Sequence, residues 1–431
     1  MPSDFMRDHS SSSMTDDASY PAAAASSLSK ASGLCRGTSV AENWRLLQAE
    51  ELHKSKLLRS ASDDLAEFIW PQDERPSVPH NDFQRAEELP ILDLYSLHHQ
   101  SDEHPTSSSS SSARDKIARD LVKILSDWGF VQLVNHGVDT QVIQDMQAQA
   151  KKFFDLPLEQ KEKAKVSPGS SSSSSSSSNY KNHEGFGYGV ESGFYYDRKP
   201  WIDRFQCRWS PAESITELAD KVYCEDAHEA EEFSKSIEEY NRSLDMLTAQ
   251  VLELCAEGLG LESSTFTKPY LGTAGECTAR FNYYPPCPLP SLTLGLGAHT
   301  DPNLLTILHQ CKVGGLQVYR DGSWLSVKPL TNSFILNIGD SFEAWTNGRF
   351  KSVRHRAVVN ETEARLSIAY FSNPPPLSVM TVPQNLIDSL HPLQFRPSFT
   401  WVDYKLHLLE MHKKPNGSKT SKAWLRSTKS L

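Results

Sequence analysis

The chain of 431 residues has no long hydrophobic run, no excess of positive charge and no closely spaced pair of cysteines. An ordinary membrane helix needs roughly 18 or more consecutive apolar residues, so the absence of such a run predicts no membrane span. The formal net charge is −10, and an acidic chain is not attracted to polyanions. We therefore expect neither a membrane nor a nucleic acid as a partner.

The cysteines are few and scattered along the chain. Their number, seven, is odd, so a disulfide scaffold is not expected and a reducing compartment fits better. Residues 1–40 contain no apolar segment of the kind that a secretory signal needs. They are rich in serine and alanine, as plastid transit peptides are, but their acidic residues and scarce arginine argue against that alternative. We expect a cytoplasmic monomer.

Composition varies along the chain and predicts a globular core with extensions. The hydrophobic fraction of 38% allows a real core, from which part of the chain is excluded. We predict five parts: a disordered or helical extension (1–67), an amino-terminal region with serine-rich loops (68–230), a helical connection (231–275), a β core (276–380), and a helical segment with a tail (381–431).

Two serine tracts interrupt the amino-terminal region, Ser107 to Ser112 and Ser170 to Ser178. Runs of serine cannot bury apolar surface, so both tracts are predicted to be solvated loops. Insertions of this length cost little, because the entropy of loop closure grows only logarithmically with length. Neutral expansion at loop tips is the simple interpretation, and a regulatory phosphorylation site is the alternative.

Hydrophobic periodicity predicts helices in the first part of the core and strands in the second. Apolar residues keep helical spacing over 117–128 and 233–254, whereas residues 130–134 are typical of a short buried strand. After about residue 277 the period becomes strand-like, and Asp321-Gly322 between two alternating runs indicates a hairpin. Several short strands with regular turns favour a sandwich or a barrel. The predicted fold class is α+β.

Three residues form the first pattern that indicates chemistry: His299, Asp301 and His355. On a strand, residues i and i+2 point to the same face, so His299 and Asp301 would present their side chains together. Two strands and two turns fit between Asp301 and His355, enough for a return to the same end of a barrel. Two histidines and a carboxylate are the ligands of non-haem Fe(II) oxygenases. A catalytic zinc site can also use them, so the triad alone does not select the metal.

Arg365 and Ser367 follow His355 and again have i, i+2 spacing in a β-rich run. A guanidinium can bind a carboxylate through two hydrogen bonds, and a hydroxyl adds a third. Such a pair would anchor the far carboxylate of a dicarboxylic cosubstrate whose keto-acid end chelates the metal. A zinc hydrolase does not need this anchor, so the pair favours the oxygenase interpretation.

With these motifs the sequence resembles the plant 2-oxoglutarate- and Fe(II)-dependent dioxygenase family over most of residues 68–380. Besides the HxD…H iron motif and the RxS motif for 2-oxoglutarate, NYYPPC at 282–287 is similar to the family's NYYPxC. The residues that correspond are His299, Asp301 and His355 for iron and catalysis, and Arg365, Ser367, Tyr284 and Asn282 for 2-oxoglutarate.

The resemblance implies a fold and a set of cofactors. The fold would be a double-stranded β-helix, or jelly roll, with a helical amino-terminal region. The cofactors would be Fe(II), 2-oxoglutarate and O₂, with ascorbate as the reductant. The reaction would couple the oxidative decarboxylation of 2-oxoglutarate to the hydroxylation or further oxidation of a small-molecule substrate.

Within that family the chain is most similar to gibberellin oxidases, particularly the 20-oxidase type. FIWP at 68–71, LTILHQ at 305–310 and VGGLQV at 313–318 resemble stretches of those enzymes. There are three departures. Thr300 stands where the 20-oxidases usually have cysteine, and KPWIDR at 199–204 replaces their LPWKET. NGRFKSVR at 347–354 is as similar to the gibberellin 2-oxidase type, which stays open as an alternative. The resemblance implies a gibberellin or a diterpenoid precursor as substrate, and the departures concern the substrate and the oxidised carbon rather than the iron chemistry.

The substrate pocket leaves fewer marks in the sequence. The Gly/aromatic segments Gly185–Gly189 and Phe194–Tyr196 can line an apolar pocket, or can form a surface hairpin instead. Arg198, Lys199 or Arg204 is a candidate for holding a substrate carboxylate.

Two alternatives to a gibberellin oxidase stay open. One is a dioxygenase of flavonoids or other specialised metabolites on the same scaffold. The other is a non-catalytic sensor, against which the intact iron and 2-oxoglutarate motifs argue. The remaining histidines of the core, His136 and His309, are interpreted as structural.

Overall fold

The structure, a computed structural model, describes most of the chain after residue 65. The described residues are 66–83, 88–99, 107–165, 186–189, 198–208, 213–271, 277–412 and 422–426. Almost all of the predicted extension 1–67, the tract Ser170–Ser178 and the segment Phe194–Tyr196 lie outside them. In the part of the chain that the structure describes, no helix is both long enough and apolar enough to cross a membrane.

Among the described residues, most of the helices precede residue 272 and most of the strands follow residue 277. In chain order the helices are α1 (Tyr95–His98), α2 (Ser107–Asp127), α3 (Thr140–Asp155), α4 (Leu158–Glu162), α5 (Glu213–Val222), α6 (Ala227–Gly258), α7 (Ser264–Leu271), α8 (Asp340–Trp345), α9 (Trp401–His412) and α10 (Lys422–Leu425). The strands are β1 (Ile91–Asp93), β2 (Phe130–Val134), β3 (Gly187–Tyr188), β4 (Asp203–Arg208), β5 (Thr278–Tyr284), β6 (Leu296–His299), β7 (Leu305–Gln310), β8 (Leu316–Arg320), β9 (Ser323–Ser326), β10 (Phe334–Ile338), β11 (His355–Ala357), β12 (Arg365–Ser372), β13 (Val379–Thr381) and β14 (Ser398–Thr400).

These strands form two main sheets and a small ribbon. The larger sheet has eight strands in the order β1-β2-β10-β7-β12-β5-β4-β3, and the smaller has four in the order β6-β11-β8-β9. Phe130 and Ile335 of the larger sheet share a buried cluster with Leu316 and Val318 of the smaller, so the two inner faces pack together. This arrangement is a jelly roll, and it confirms the predicted α+β class.

The larger sheet crosses the boundary that was predicted at residue 276. Strands β1 to β4 precede that residue, yet two of them pair with strands that follow it: β2 is antiparallel to β10, and β4 to β5. The amino-terminal region therefore contributes strands to the core as well as helices. Periodicity in the sequence does not reveal such pairings, because a strand's partner is chosen by contacts distant along the chain.

The outer face of the larger sheet is buried beneath helices, chiefly the long α6. Ile237, Leu244 and Val251 of α6 belong to the same core cluster as Phe281 and Ile368 of the sheet. Burying a side chain of this size contributes about 1.5–3 kcal/mol. The outer face thus supplies much of the apolar burial that holds the helices to the barrel.

The structure corrects the prediction for one serine tract. Ser107–Ser112 is the beginning of helix α2, not a loop. Ile117, Leu121 and Leu125 of this helix are buried in the main core, which supplies the stability that a serine run lacks. Extending an existing helix adds one hydrogen bond per residue and avoids the cost of nucleation, and serine is only moderately less favourable than alanine.

The hairpin predicted at Asp321-Gly322 is confirmed. Strands β8 and β9 pair antiparallel on either side of it, with Arg320 opposite Ser323. The φ angles of Asp321 and Gly322 are 48° and 81°, and a two-residue turn of type I′ needs positive φ at both positions. Aspartate and glycine are residue types that adopt this conformation at low cost.

Candidate active site

His299, Asp301 and His355 come together between two neighbouring strands of the smaller sheet. His299 on β6 is directly opposite His355 on β11. The Nε2 atoms of His299 and His355 lie 3.5 and 3.6 Å from the same carboxylate oxygen, Oδ1 of Asp301. One ligand atom from each residue lies within 4.8 Å of the others, so this metal group can hold a single ion.

The chain reaches this arrangement by a route that differs from the prediction. Strand β6 ends at His299, so Asp301 lies in the turn beyond it rather than on the strand. Four strands, β7 to β10, and helix α8 separate Asp301 from His355, where two strands were predicted. The turn is held by the backbone N–H of Asp340, which donates to the carbonyl of Asp301 at 2.7 Å.

Backbone carbonyls orient both imidazole rings. Nδ1 of His299 lies 2.8 Å from the carbonyl oxygen of Gly297, and Nδ1 of His355 lies 3.2 Å from that of Val353. A carbonyl oxygen only accepts, so Nδ1 carries the proton and Nε2 offers its lone pair to a metal. Burial, together with the neighbouring His299, lowers the pKa of His355 to about 4 and keeps this ring in the neutral form that a ligand requires.

Asp301 is buried and ionised. Burial opposes ionisation, but His355, His299 and a hydrogen bond from Thr306 outweigh it and hold the pKa of Asp301 below its ordinary value. Thr306 Oγ1 donates to Oδ2 of Asp301 at 2.6 Å, and Asn337 Nδ2 donates to the same oxygen at 2.8 Å. Because Oδ2 is engaged in this way, Oδ1 is the oxygen presented to the two histidines.

A second buried carboxylate, Asp340, braces the loop that carries the metal group. Its Oδ2 accepts from Thr300 at 3.0 Å and from the hydroxyl of Tyr404 at 3.1 Å. Its Oδ1 accepts from Ser352 at 2.6 Å and lies 3.4 Å from Nζ of Lys422. The Asp340 carboxylate thus links helices α9 and α10 to Thr300, the residue between His299 and Asp301.

The residues predicted to bind the cosubstrate lie opposite each other on β12 and β5. Arg365 pairs with Tyr284 and Ser367 with Asn282, and residues directly opposite share a face of the sheet. Arg365 Nη1 donates to the hydroxyl of Ser367 at 3.2 Å, and the guanidinium carbon lies 5.0 Å from the centroid of the Tyr284 ring. We call these four residues the cosubstrate patch.

Arg365 is buried with its charge, which is an expensive arrangement without an anion. Burial lowers its pKa, and only 2% of the residue is exposed. Its Nη2 donates to Oε1 of Gln310 at 3.0 Å. Nε of Arg365 and Nε2 of Gln310 are buried and have no hydrogen-bond acceptor among the described residues. Buried donors that await an acceptor fit a bound carboxylate.

Two glycines make room for the cosubstrate patch. A Cβ atom at Gly315 would lie 2.7 Å from Cδ of Arg365, and one at Gly295 would lie 2.5 Å from Cδ1 of Tyr284. Contacts this short would displace the guanidinium or the ring. Gly295 directly precedes β6 and Gly315 directly precedes β8. The smaller sheet therefore leaves room at these two positions for side chains of the larger sheet.

The metal group fits an Fe(II) ion. Two neutral imidazole nitrogens and one carboxylate oxygen occupy one face of an octahedron and leave three positions for other ligands. Among the described residues one further group, His228, Glu229 and Glu232, has comparable spacing, but it lies on the surface of α6 and Glu229 is already paired with Lys152.

The FIWP motif at 68–71 and the KPWIDR motif at 199–204 pack against Tyr284 of the cosubstrate patch. Phe68, Trp201, Tyr284 and Cys287 share one buried cluster. The rings of Phe68 and Trp201 meet edge to face with their centroids 5.0 Å apart, and Trp201 Nε1 donates to the carbonyl of Pro285 at 3.1 Å. The amino-terminal segment therefore packs in the same buried cluster as Tyr284.

The substrate-binding candidates do not converge on one place. Arg198 and Lys199 are exposed, and Lys199 pairs with the exposed Glu67 at 3.1 Å. Arg204 is buried next to the cosubstrate patch, where its Nε donates to Oδ1 of Asn282 at 3.3 Å. Tyr188, from the part of the Gly/aromatic segment that the structure describes, belongs to the outer core and not to a pocket beside the metal group.

His136 and His309 lie on the outer side of the larger sheet, where both rings contact Phe334 with centroid distances of 4.5 and 5.9 Å. Burial lowers the pKa of each to about 4, so both rings are neutral. Their positions agree with the structural role predicted for them.

Sequence reasoning missed the roles of the side chains that support the site: Thr306, Asn337, Gln310 and Asp340. A signal for the first three was present in the pattern. They are polar residues on strands whose other members are buried, and a polar side chain that alternates with core residues faces the opposite side of the sheet. What each one contacts could be seen only in the structure.

Comparison with known proteins points to one superfamily. Residues 275–374 match the 2OG-Fe(II) oxygenase superfamily, and residues 89–224 match the family described as non-haem dioxygenase in morphine synthesis N-terminal. Gibberellin 20 oxidase 1 of Arabidopsis thaliana is 34% identical over 78% of this chain and 81% of its own length.

A second relative has a different substrate in its name. Naringenin,2-oxoglutarate 3-dioxygenase of Callistephus chinensis is 36% identical over 73% of this chain and 79% of its own length. Among solved structures, that of JOX2 in complex with 2OG, Fe and JA matches with a TM-score of 0.62 and 28% identity, over 84% of this chain and 98% of JOX2.

Proposed function

The chain belongs to the 2OG-Fe(II) oxygenase superfamily, and from this premise we propose that it oxidises a small apolar acid, namely a gibberellin or one of its diterpenoid precursors. It is an oxidoreductase, and its cofactors are Fe(II), 2-oxoglutarate and O₂. When bound, iron and 2-oxoglutarate together activate O₂ for attack on a C–H bond of the substrate.

We assign the iron to His299, Asp301 and His355. Support comes from the two Nε2 atoms and one carboxylate oxygen that converge within 4.8 Å, with both Nδ1 atoms bound to carbonyls. The hydrogen bonds from Thr306 and Asn337 hold the Asp301 carboxylate in one orientation, so little reorganisation is needed when the ion enters.

We assign the far carboxylate of 2-oxoglutarate to the cosubstrate patch. Arg365 would bind it through a charge-assisted pair of hydrogen bonds. Its buried Nε, which has no acceptor among the described residues, can donate one of them. The hydroxyl of Ser367 accepts from Arg365, which directs its own proton towards the carboxylate. Gln310 holds the plane of the guanidinium from the other side. In this role the chain's own residues bind and orient, and the buried walls exclude water.

The observation that carries the reaction class is the convergence of the metal group and the cosubstrate patch on facing walls of one barrel. Gly315 directly precedes β8 of the smaller sheet, and a Cβ atom there would lie 2.7 Å from Cδ of Arg365 on the larger sheet. The two walls therefore approach each other closely at this point. The gibberellin assignment is supported by the 20-oxidase relatives and by the FIWP segment, whose Phe68 packs on the same cluster as Tyr284.

A flavonoid is the second candidate substrate. The observation in its favour is the naringenin dioxygenase relative, whose identity to this chain is slightly higher than that of the 20-oxidases. Both substrate classes are compact and largely apolar, so the same barrel could accept either class on size alone.

The test is incubation of the iron-loaded protein with 2-oxoglutarate and a panel of diterpenoid acids and flavonoids, followed by mass spectrometry. We expect a product heavier by one oxygen, or oxidised further, from a diterpenoid acid. The Asp301→Ala variant should form no product, whereas the matched Asp115→Ala variant, altered on the exposed face of α2, should behave as the wild type. Products only from flavonoids would replace the first assignment by the second.

We also propose that the protein acts in the cytoplasm as a monomer. The buried free thiols of Cys207 and Cys255 support a reducing compartment, and burial raises the pKa of Cys207 to about 12. Fractionation of tagged protein and measurement of its mass in solution test the two parts of this proposal.

A further inference from the structure

The ammonium group of Lys422 contacts both segments of the chain that carry the metal group. Nζ of Lys422 lies 3.4 Å from Oδ1 of Asp340, whose backbone N–H donates to the carbonyl of Asp301 at 2.7 Å. The same Nζ donates to the carbonyl of Ser352, three residues before His355, at 2.5 Å. Lys422 on helix α10 thus joins the turn after β6 to the segment that leads into β11.

Asp340 connects Lys422 with side chains next to the metal group. Its Oδ2 accepts from the hydroxyl of Thr300 at 3.0 Å, and its Oδ1 accepts from that of Ser352 at 2.6 Å. Oε2 of Glu343, one turn further along helix α8, lies 2.7 Å from the same Nζ of Lys422. Both carboxylates are buried, and a buried carboxylate destabilises the fold unless a cation lies close to it. The ammonium therefore offsets two buried charges, one of which holds Thr300 and Ser352 in place.

Helix α10 is docked by contacts that do not involve the ammonium group of Lys422. The side chain of Leu425 is fully buried in the main core, and the backbone N–H of Arg396 donates to the carbonyl of Leu425 at 2.8 Å. Nε of Arg396 donates to the carbonyl of Trp424 at 2.9 Å, and the ring of Trp424 stacks on that of Tyr404 with centroids 5.8 Å apart. Because these contacts remain, the charge of Lys422 can be removed without undocking the helix.

We propose that Lys422 is a positioning residue for the metal group, because it holds the two ligand-bearing segments together through Asp340 and Ser352. The inference rests on the assignment of iron in the proposed function, and it deepens that function by giving helix α10 a part in metal binding. Removing a group that holds metal-ligating residues in place typically changes the affinity for the metal by about 10- to 100-fold. Lys422 therefore acts on metal binding in addition to any effect on stability.

The experiment measures metal binding without turnover. Metal-free, full-length protein is titrated calorimetrically with Co²⁺ in the absence of O₂, and urea unfolding gives the stability of each variant. Lys422→Met removes the charge and keeps a side chain of similar length, whereas Lys422→Arg keeps the charge. Arg426→Gln is the matched control: Arg426 directly follows the same helix and lies 4.0 Å from Oε1 of Glu343, but its guanidinium packs on the ring of Phe395.

We expect Lys422→Met to bind Co²⁺ about 10- to 100-fold more weakly than the wild type does. Lys422→Arg should recover part of this loss, and Arg426→Gln should bind Co²⁺ as the wild type does. The positioning role is overturned if Lys422→Met keeps the wild-type affinity for Co²⁺. It is also overturned if Arg426→Gln weakens Co²⁺ binding to the same extent, because docking of the helix would then explain the effect.

A double variant separates positioning from stability. Lys422→Met alone leaves the buried carboxylate of Asp340 without its ammonium partner, so this variant should be less stable than the wild type. Combining it with Asp340→Asn removes that uncompensated charge, so the double variant should be more stable than Lys422→Met and is used where the single variant does not fold. We expect its Co²⁺ binding to stay weak, because the link between the two segments is still missing. Wild-type affinity for Co²⁺ in the double variant would show that Lys422 acts on stability alone.

Asp301→Ala separates this inference from the proposed function. If Asp301→Ala loses Co²⁺ binding while Lys422→Met binds as the wild type does, the assigned metal group stands and only the positioning role fails. If Asp301→Ala binds Co²⁺ as tightly as the wild type, the assigned metal group is wrong and the positioning role fails with it. No organic substrate enters the titration, so the choice between a diterpenoid acid and a flavonoid does not affect the result.

Discussion

The two faces of the larger sheet have opposite chemistry, although the same strands build both. On the outer face Phe281 and Ile368 are buried in the apolar core beneath the helices. On the inner face their neighbours Asn282 and Ser367 are equally buried, but they are polar and belong to the cosubstrate patch. Each step along the strand crosses from one environment to the other, because successive side chains point to opposite faces.

The difference shows that alternate residues of one strand can have separate roles: one set stabilises the fold and the other forms the site. Apolar burial on the outer face stabilises the fold by about 1.5–3 kcal/mol per large side chain. The buried polar groups of the inner face oppose folding until a ligand satisfies them. Arg365, with its lowered pKa and a buried Nε that lacks an acceptor among the described residues, is the clearest case. Changes on the two faces should therefore have different consequences.

The largest expected effect is on the inner face. Arg365→Met replaces the guanidinium by an apolar chain that fills similar space. Loss of one partner of a buried charge-assisted pair costs about 3–5 kcal/mol, so the Michaelis constant for 2-oxoglutarate should rise by two orders of magnitude or more. Stability should stay equal or increase, because an uncompensated buried charge is removed. Steady-state kinetics with each cosubstrate varied, together with urea unfolding, measure both. A large loss of stability would contradict the proposed difference between the inner and outer faces of the larger sheet.

The outer face should respond in the opposite way. Ile368→Ala removes a fully buried side chain from the core cluster. We expect a loss of about 2–5 kcal/mol in the free energy of unfolding, from lost apolar burial and the cavity left behind. The Michaelis constant for 2-oxoglutarate should change little in the protein that remains folded. Equilibrium unfolding and kinetics at low temperature test this, and a selective defect in 2-oxoglutarate binding would show that the faces are coupled.

Ser367→Ala changes the adjacent residue of the same strand and is the matched control for Ile368→Ala. It removes one hydrogen bond to a charged group, worth about 1.5–3 kcal/mol of binding free energy. We expect weaker 2-oxoglutarate binding, by a smaller factor than for Arg365→Met, with almost unchanged stability. Calorimetric titration with 2-oxoglutarate gives the comparison directly. Equal losses of stability in Ser367→Ala and Ile368→Ala would remove the distinction between the faces.

The smallest effect concerns pH and a polar residue on the apolar face. Burial lowers the pKa of His309 to about 4, below the value near 6.5 of the unfolded chain. The unfolded state therefore binds more protons between these values, so stability is full above pH 6.5 and falls as the pH drops towards 4. Each histidine of this kind changes the free energy of unfolding by at most about 1.4 kcal/mol per pH unit.

His309→Leu should reduce this slope, and His136, whose pKa is also about 4, should account for part of what remains. The difference between variant and wild type cancels the groups that both share. The measurement is the urea midpoint of the metal-free protein from pH 7 to pH 4.5. An unchanged slope in His309→Leu would show that this ring does not titrate on unfolding as its burial implies.

Local patterns in the sequence were enough for the elements that depend on local physics. The apolar run over 130–134, the helical spacing over 233–254 and the Asp321-Gly322 turn each predict a structure formed by neighbouring residues, and β2, α6 and the β8–β9 hairpin appear there. The jelly-roll class and the motif residues of the site were also within reach, because ligand types and spacings are written in the chain.

Only the tertiary structure decided which of these residues meet. Ser107–Ser112 became helical because the rest of α2 is packed, and strands before residue 276 joined the barrel because β10 and β5 offered edges to pair with. The contacts of Asp301 with Thr306 and of Arg365 with Gln310 likewise depend on register. Register is set by hydrogen bonds and packing between segments far apart in sequence, and periodicity within one segment carries no information about its partner.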